Sequence, residues 1–411
     1  VSLGNWLDFS GGPMEAFVAG VLGLVGLAAL VYSLARLRGR SSELVEYTVF
    51  LLLLVGSALG VVYARNLLVV FAMWELATFA LWRLVAFFRT EDDVSASAWA
   101  WYVNFGAATL MLVGLALILV ENGSLSLDEL SGQAVSWAPA ALVLIGILAK
   151  SATLPLHVWL PRAYRAAPAP VCALLSGIAE NLGVVLFLKL FVGTLVPPIG
   201  FMEFVAVLAL VSSLVAGGMA LVSGSTRSVL AYSTIGQLGF MFLGLAVAGY
   251  YGIMGAVLYV AAHAVAKSGL FFAVGTVEDA TGKTALDDLG GLARRSPVLA
   301  GAAAMLVLSI VGIPPFLGFF AKLGVLIAVV RQNLALGLAA VGSALFTVLY
   351  LTRLYSRVFL GVTTERESAS VSHLSVVLVV VMAIVSLAAG IFYNVSVNLL
   401  ETSVVGLAGV M

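Results

Sequence analysis

The chain of 411 residues is 62% hydrophobic and 10% charged, with a mean hydropathy of +1.15. Soluble domains carry about 25% charged residues, which excludes that class, and the apolar runs are too long for the alternating strands of a transmembrane barrel. Acidic and basic residues, 20 of each, cancel and argue against a nucleic-acid partner, while the single Cys172 excludes an internal disulfide or a cysteine-built metal or iron–sulfur site. At about 20 apolar residues per crossing, the length allows roughly a dozen helices and little else. The expected fold class is all-α, a polytopic membrane protein of about 12 transmembrane helices.

The opening VSLGNWLDFS carries no basic run of the kind that begins a cleavable signal, so none is expected. Pro13 is placed to start a helix from Met14 to about Leu34, which ends in the basic RLRGR at 36–40. Further spans are expected over Glu43–Tyr63, Asn66–Phe88 and Ser95–Val120, the last followed by the acidic loop ENGSLSLDELSGQ. Trp137–Thr153 and Pro170–Val192 flank the proline-rich LPLHVWLPRAYRAAPA, and read either as two crossings or as the halves of one discontinuous helix plus a return. Phe201–Val222, Ser228–Val247 and Tyr251–Val277 follow, then the polar interval at 278–296. Pro297–Val330 is interrupted by GIPPFLG at 312–318, and Leu334–Phe359 and Leu374–Leu400 complete the series.

Basic residues gather at 36–40 and at Arg353, Arg357 and Arg366, whereas 121–136 holds none. By the positive-inside rule the basic ends are cytoplasmic and, with an even number of crossings, both termini lie outside. Each half holds an apolar span broken by proline with a lysine nearby: Lys150 before PLHVWLP, and Lys322 after GIPPFLG. Inverted repeats with broken helices meeting near the midplane would leave this echo. The first half is placed at about 43–222, the second at about 226–359 and a C-terminal helix at about 374–400, within one transmembrane domain over 1–411.

Charge kept inside these spans carries the functional reading. A Lys or Asp at the centre of a lone spanning helix costs about 2.5–3.5 kcal/mol, and irregular backbone survives there only inside protein or beside water. Glu75, near the middle of its span, is either a helix-pairing anchor or a proton-exchanging carboxyl, on which burial and a nearby cation pull in opposite directions. Arg83, eight residues on and about 12 Å along the helix, is free to reach the interface. His263 and Lys267 lie at i and i+4 and share a face, as a proton relay or as a pair that hydrogen-bonds helices together. Lys150 and Glu180 stand on either side of the proline-rich turn and are expected to pair across it. His157 caps irregular backbone or joins the relay. Lys322 follows the second break, where freed carbonyls and a new helix N-terminus can order water. Arg227 lies near a helix end, as an interfacial anchor or a path member, while Lys189 and Glu203 are expected in solvent. No nucleotide loop or catalytic triad accompanies these residues, and no metal site is expected.

LPLHVWLPRAY…APAPVCALLSG, STRSVLAYSTIGQLGF, HAVAKSGLFF and LSIVGIPPFLGFFAK follow one another along the chain, and FAMWELATF precedes them. In this order they resemble the signatures of the antiporter-like membrane subunits of respiratory complex I, membrane-bound hydrogenases and multisubunit Na⁺/H⁺ antiporters, over nearly the whole chain. The resemblance implies that Glu75 is the family's membrane glutamate and that Arg227 falls where a central lysine usually sits. It places His263 and Lys267 in the central histidine–lysine segment and makes Lys322 the distal lysine. It further implies a buried chain of charges and waters that moves protons, driven by redox chemistry in partner subunits. Three departures stand out. Asn181 occupies a place usually held by lysine, with Glu180 beside it. WLPRAY lacks the acidic residue that commonly follows the proline. Arg227 replaces a lysine and holds its proton too tightly to pass it on. The first helix resembles the third of a fourteen-helix member, and the long C-terminal lateral helix of the most distal complex I subunit is not expected.

The expected function is therefore an antiporter-like subunit of a multisubunit redox-driven complex, a membrane-bound hydrogenase or complex I relative. It would translocate protons, with Na⁺ as a second candidate, through Glu75, Lys150, His157, Glu180, Arg227, His263, Lys267 and Lys322. No cofactor is expected on this chain, redox cofactors belonging to partner subunits. The expected partners are further antiporter-like and small helical subunits, a peripheral redox arm and lipids, in the cell membrane. Three alternatives stand: the D-type subunit of a non-redox multisubunit Na⁺/H⁺ antiporter, a structural subunit with a degenerate first-half path, and a stand-alone small-solute transporter.

Overall fold

The computed structural model describes residues 8–37, 40–361 and 371–410, so Arg38 and Arg366, two of the residues used for orientation, and the opening 1–7 lie outside the described residues. Chain segments in lipid must satisfy their backbone internally, and here they do so as helices. Helix α1 (Pro13–Arg36) begins on a proline whose missing N–H would be unpaired there anyway. Then come α2 (Ser41–Tyr63) and α3 (Leu67–Val85), the latter capped by the Asn66 side chain, which accepts from the Leu68 N–H at 2.9 Å. Helix α4 (Glu91–Asn122) opens on a reciprocal cap between Thr90 and Asp93, with three acidic residues in its first turn.

The proline-rich segment resolves into one broken crossing and a return. Helix α5 (Trp137–Lys150) has 14 residues. That is about 21 Å, short of the roughly 30 Å hydrocarbon core. After an irregular stretch, α6 (Leu160–Ala166) completes the passage, and α7 (Ala169–Val192) runs back. Trp137 at the start of α5 packs on Phe201 and Phe204 at the head of α8 (Phe201–Val222), whereas the end of α6 is bonded to Arg227 at the head of α9 (Thr226–Val247). Since α8 and α9 run in opposite directions, the two ends of the broken passage lie at opposite faces. Helix α7 is buried along its length and contains two π-turns, Leu175–Ala179 and Leu188–Val192. Such turns occur often at functional positions.

Helix α10 (Gly249–Thr281) has 33 residues and is enclosed by α7, α9, α12 (Leu317–Gln332) and α14 (His373–Ile391). The second break separates α11 (Pro297–Val311) from α12, and Gly318 makes it possible: a Cβ there would lie 1.9 Å from the Ser309 carbonyl oxygen. Helix α13 (Leu334–Phe359) follows. The single C-terminal helix expected at 374–400 is instead two, α14 and α15 (Tyr393–Val410), parted at Phe392. The tail of α14 runs against the second break, with Gly390 so close to Pro315 that a Cβ would lie 2.0 Å from its carbonyl oxygen. Straight continuation is blocked there. Tyr393 stacks on Phe320 with ring centres 4.0 Å apart, and α15 lies along α10 and α1.

Ten helices among the described residues are long and apolar enough to cross a membrane, and the broken α5/α6 and α11/α12 add two more passages. The chain is a polytopic all-α membrane protein with discontinuous helices. Gly318→Ala is expected to lower stability in detergent by about 1–3 kcal/mol, through overpacking at the second break. Gly301→Ala in α11, with open space around it, should hold the melting temperature or raise it slightly, since glycine inside a helix is about 0.5–1 kcal/mol less favourable than alanine. Thermal melts of the two purified variants check this.

Candidate functional site

The two breaks leave lysines beside freed backbone. Lys150 ends α5 and is 1% exposed, and its Nζ donates to the Thr78 hydroxyl and lies 3.4 Å from the Trp74 carbonyl oxygen, 4.8 Å from the centre of the Trp74 ring. The same hydroxyl is 3.4 Å from Glu75 Oε1, one turn back on α3. The Thr78 hydroxyl accepts from the Lys150 ammonium and gives its own proton to the Trp74 carbonyl at 3.0 Å, so the half-buried Glu75 carboxylate lies beside the pair and acts on Lys150 through its charge. This corrects the expected pairing of Lys150 with Glu180.

Glu180 follows directly on the first π-turn and is fully buried. Its two carboxylate oxygens accept from the Tyr164 hydroxyl at 2.8 and 3.0 Å, and its backbone carbonyl accepts from Ser151, the neighbour of Lys150, at 2.9 Å. The next charge on its far side is Lys267 of α10, with which it interacts electrostatically and whose Nζ donates to the Leu230 carbonyl at 2.9 Å. His263, one turn away on the same face, is fully buried, and neither ring nitrogen has a hydrogen-bond partner among the described residues. It stands in the field of both Lys267 and Lys322. Lys322 Nζ lies 3.4 Å from the carbonyl oxygen of Val311, the last residue of α11, and 5.6 and 5.9 Å from the ring centres of Tyr259 and Phe240. Exposed carbonyls at a helix end and aromatic faces both favour a cation. In order, the groups read Glu75, half-buried, then the buried Lys150, Glu180, Lys267, His263 and Lys322.

Two of the residues expected in the path lie elsewhere. Arg227 sits in the first turn of α9, with Nε 3.1 and 2.8 Å from the two Glu278 carboxylate oxygens and Nη2 2.6 Å from one of them. Its Nη1 donates to the carbonyls of Tyr164, Arg165 and Ala167 at 3.2, 3.2 and 2.6 Å. The cation opposite Glu75 is Lys150, because motif order along a chain does not say which facing helix supplies the partner. His157 lies half-buried in the irregular stretch, its ring 6.5 Å from that of Tyr232, and makes no hydrogen bond or ion pair with the buried charges among the described residues. Lys189, expected in solvent, donates to the carbonyls of Val61, Val62 and Ala64 at 3.2, 2.9 and 2.5 Å and caps the end of α2. Glu203 is exposed as expected. Arg83 pairs with Glu46.

Sequence reasoning missed Thr78, Tyr164 and a buried neutral cluster beside Lys322. In that cluster Tyr259 donates to Gln237, whose amide donates to Tyr350 and Thr347 at 2.9 and 3.1 Å, and Tyr350 donates to Ser233 at 2.9 Å. Uncharged hydroxyls raise no alarm in an apolar run. The available signals were spacing, Thr78 being three residues after Glu75, and the motif STRSVLAYSTIGQLGF, which contains Ser233 and Gln237.

A helical bundle with two broken passages and a buried series of carboxylates, ammonium groups and an imidazole defines an antiporter-like membrane subunit. Residues 64–347 match the family described as NADH:quinone oxidoreductase/Mrp antiporter, TM, and the chain belongs to that family. It is 30% identical to NADH-quinone oxidoreductase subunit N of Desulforudis audaxviator, over 85% of this chain and 72% of that protein. It is 28% identical to the D-type subunit of the Na(+)/H(+) antiporter of Alkalihalophilus pseudofirmus, over 69% of this chain and 60% of the relative's length. Its fold matches a chain of the Mrp complex from Dietzia sp. with a TM-score of 0.89 at 24% identity, covering 97% of this chain and 84% of that one.

Thr78→Val keeps the shape and removes the hydroxyl that accepts from Lys150 beside Glu75. Ion flux through the assembled complex should fall roughly tenfold, the equivalent of about 1.4 kcal/mol from one charge-assisted hydrogen bond. Thr78→Ser should retain most of it. Flux into sealed membrane vesicles checks both.

Proposed function

We propose that this subunit conducts protons, with Na⁺ as the alternative coupling ion, along Glu75, Lys150, Glu180, Lys267, His263 and Lys322 in a redox-driven membrane complex. The observation that carries the reading is the buried series itself, which begins at Thr78 beside one break and ends at Val311 beside the other. No two neighbours in the series form a direct ion pair among the described residues, and at an effective dielectric of about 20 unit charges about 8 Å apart still interact by about 2 kcal/mol, a few times thermal energy. Protonating Glu75 weakens the hold on Lys150, and a shift of Lys150 at the end of α5 reaches Glu180 through its neighbour Ser151, which donates to the Glu180 carbonyl. The disturbance passes on to Lys267, His263 and Lys322. The charge interaction of Glu75 with Lys150 beside Thr78 supports a working first half, about 43–222, alongside the second half, about 226–359.

The redox assignment is supported by the NADH-quinone oxidoreductase relative. On that reading, cofactors belong to a peripheral arm and further membrane subunits lie beside this one. The Na(+)/H(+) antiporter relative supports a second reading, exchange of Na⁺ for H⁺ without an electron donor. Arg36, Arg227, Arg353 and Arg357 collect at one face, where their contacts join α1 and α9 to α10, and α13 to the end of α8 and to the turn at 286–288. By the basic-residue bias this face is cytoplasmic in the cell membrane, which puts the start of α1 and the end of α14 outside.

Lys267→Ala and Lys322→Ala are expected each to abolish cation-coupled activity in native membrane vesicles while the complex still assembles. Wild-type pumping by both variants overturns the path. Flux that needs an electron donor supports the redox reading, and flux driven by an imposed Na⁺ or pH gradient alone supports the antiporter.

A further inference from the structure

The geometry points to Arg227 as a positioning residue: with Glu278 it forms a latch at the membrane face that holds the Tyr164 hydroxyl on the Glu180 carboxylate. The inference rests on Glu180 being a member of the ion path. Tyr164 belongs to the seven-residue helix α6, which is too short to hold its own end. The carbonyls of Tyr164, Arg165 and Ala167 at that end all receive Arg227 Nη1. Nε and Nη2 are meanwhile taken up by Glu278, whose Oε1 also accepts from the Thr226 hydroxyl at 2.9 Å.

A planar fork divides its donors in this way, and an ammonium does not. The side chains of the pair are only 13% and 7% exposed, so neither partner is replaced by water at small cost. Inside the latch the Tyr164 ring is set edge-on against Phe271 with centres 4.6 Å apart. Its hydroxyl is the only hydrogen-bond partner of the Glu180 carboxylate among the described residues.

The latch is joined mechanically to the next cation. The first turns of α9 carry Arg227 and also Leu230, whose carbonyl receives Lys267, and α10 carries both Lys267 and Glu278. A shift between α9 and α10 therefore changes the acceptor of Lys267 and the seat of Tyr164 together. Glu180 lies between the two.

The test uses the whole complex and reads Glu180 directly, through the infrared carboxyl band that Glu180→Gln removes. Tyr164→Phe should move that band, and Arg227→Lys should move it in the same direction and lower ion flux about tenfold. Combining Arg227→Lys with Tyr164→Phe should lower flux no further than the stronger single change. An unmoved band in Arg227→Lys, or losses that multiply in the double variant, overturns the latch. Should Arg227→Lys fail to assemble, Glu278→Gln is read by the same criteria. Wild-type flux in Glu180→Gln would remove Glu180 from the path, and the band would still decide whether Arg227 seats Tyr164.

Discussion

A charge in hydrocarbon must find its compensation within the protein, and this fold supplies most of it from backbone carbonyls. Lys322 takes the last carbonyl of α11, Lys267 a carbonyl of α9, Lys189 three at the end of α2, and Lys150 reaches toward that of Trp74. Carbonyl dipoles stabilise an ammonium without cancelling its charge, so a neighbouring proton still changes its energy. Arg227 is the contrast. It is neutralised by Glu278 in a two-pronged contact and cannot respond in this way. The distinction separates cations that can take part in transfer from one that holds structure.

The helix breaks follow from the same constraint. A carbonyl inside an unbroken helix is already engaged by its own ladder and can only be shared, as those of Leu230 and Trp74 are, whereas a helix end leaves carbonyls free. Ending α5 at Lys150 and α11 at Val311 frees carbonyls inside the protein, where the packing of α7, α9 and α10 keeps lipid away. The prolines and Gly318 therefore belong to the electrostatics of the site as much as to its shape.

Much of this was legible because lipid imposes strong rules. Apolar length gave the spans to within a few residues, with Phe201–Val222 and Leu334–Phe359 unchanged, and the scarcity of charge inside them made Glu75, His263, Lys267 and Lys322 visible. Partnership was not legible. Lys150 lies 75 residues from Glu75 in sequence, and whether it faces Glu75 or Glu180 depends on how α3, α5 and α7 pack. Arg227 was misplaced for the same reason. The parting of α14 from α15 was hidden because a tertiary obstacle, the backbone at Pro315, ends the helix where composition does not.

The two π-turns of α7 give that helix an unusual freedom. Each holds one residue more than an α-turn, so side chains beyond it are rotated by about 100° from where a regular helix would aim them. The helix thus behaves as three short rods with separate headings: one toward α1 and α10, one carrying Glu180 toward α5 and α9, one turning Lys189 onto the corner after α2. A residue gained or lost within a fully enclosed span would ordinarily misalign everything after it. Here such a change has somewhere to be absorbed, and a lineage can re-aim one acid or base while both ends of the span stay where they are.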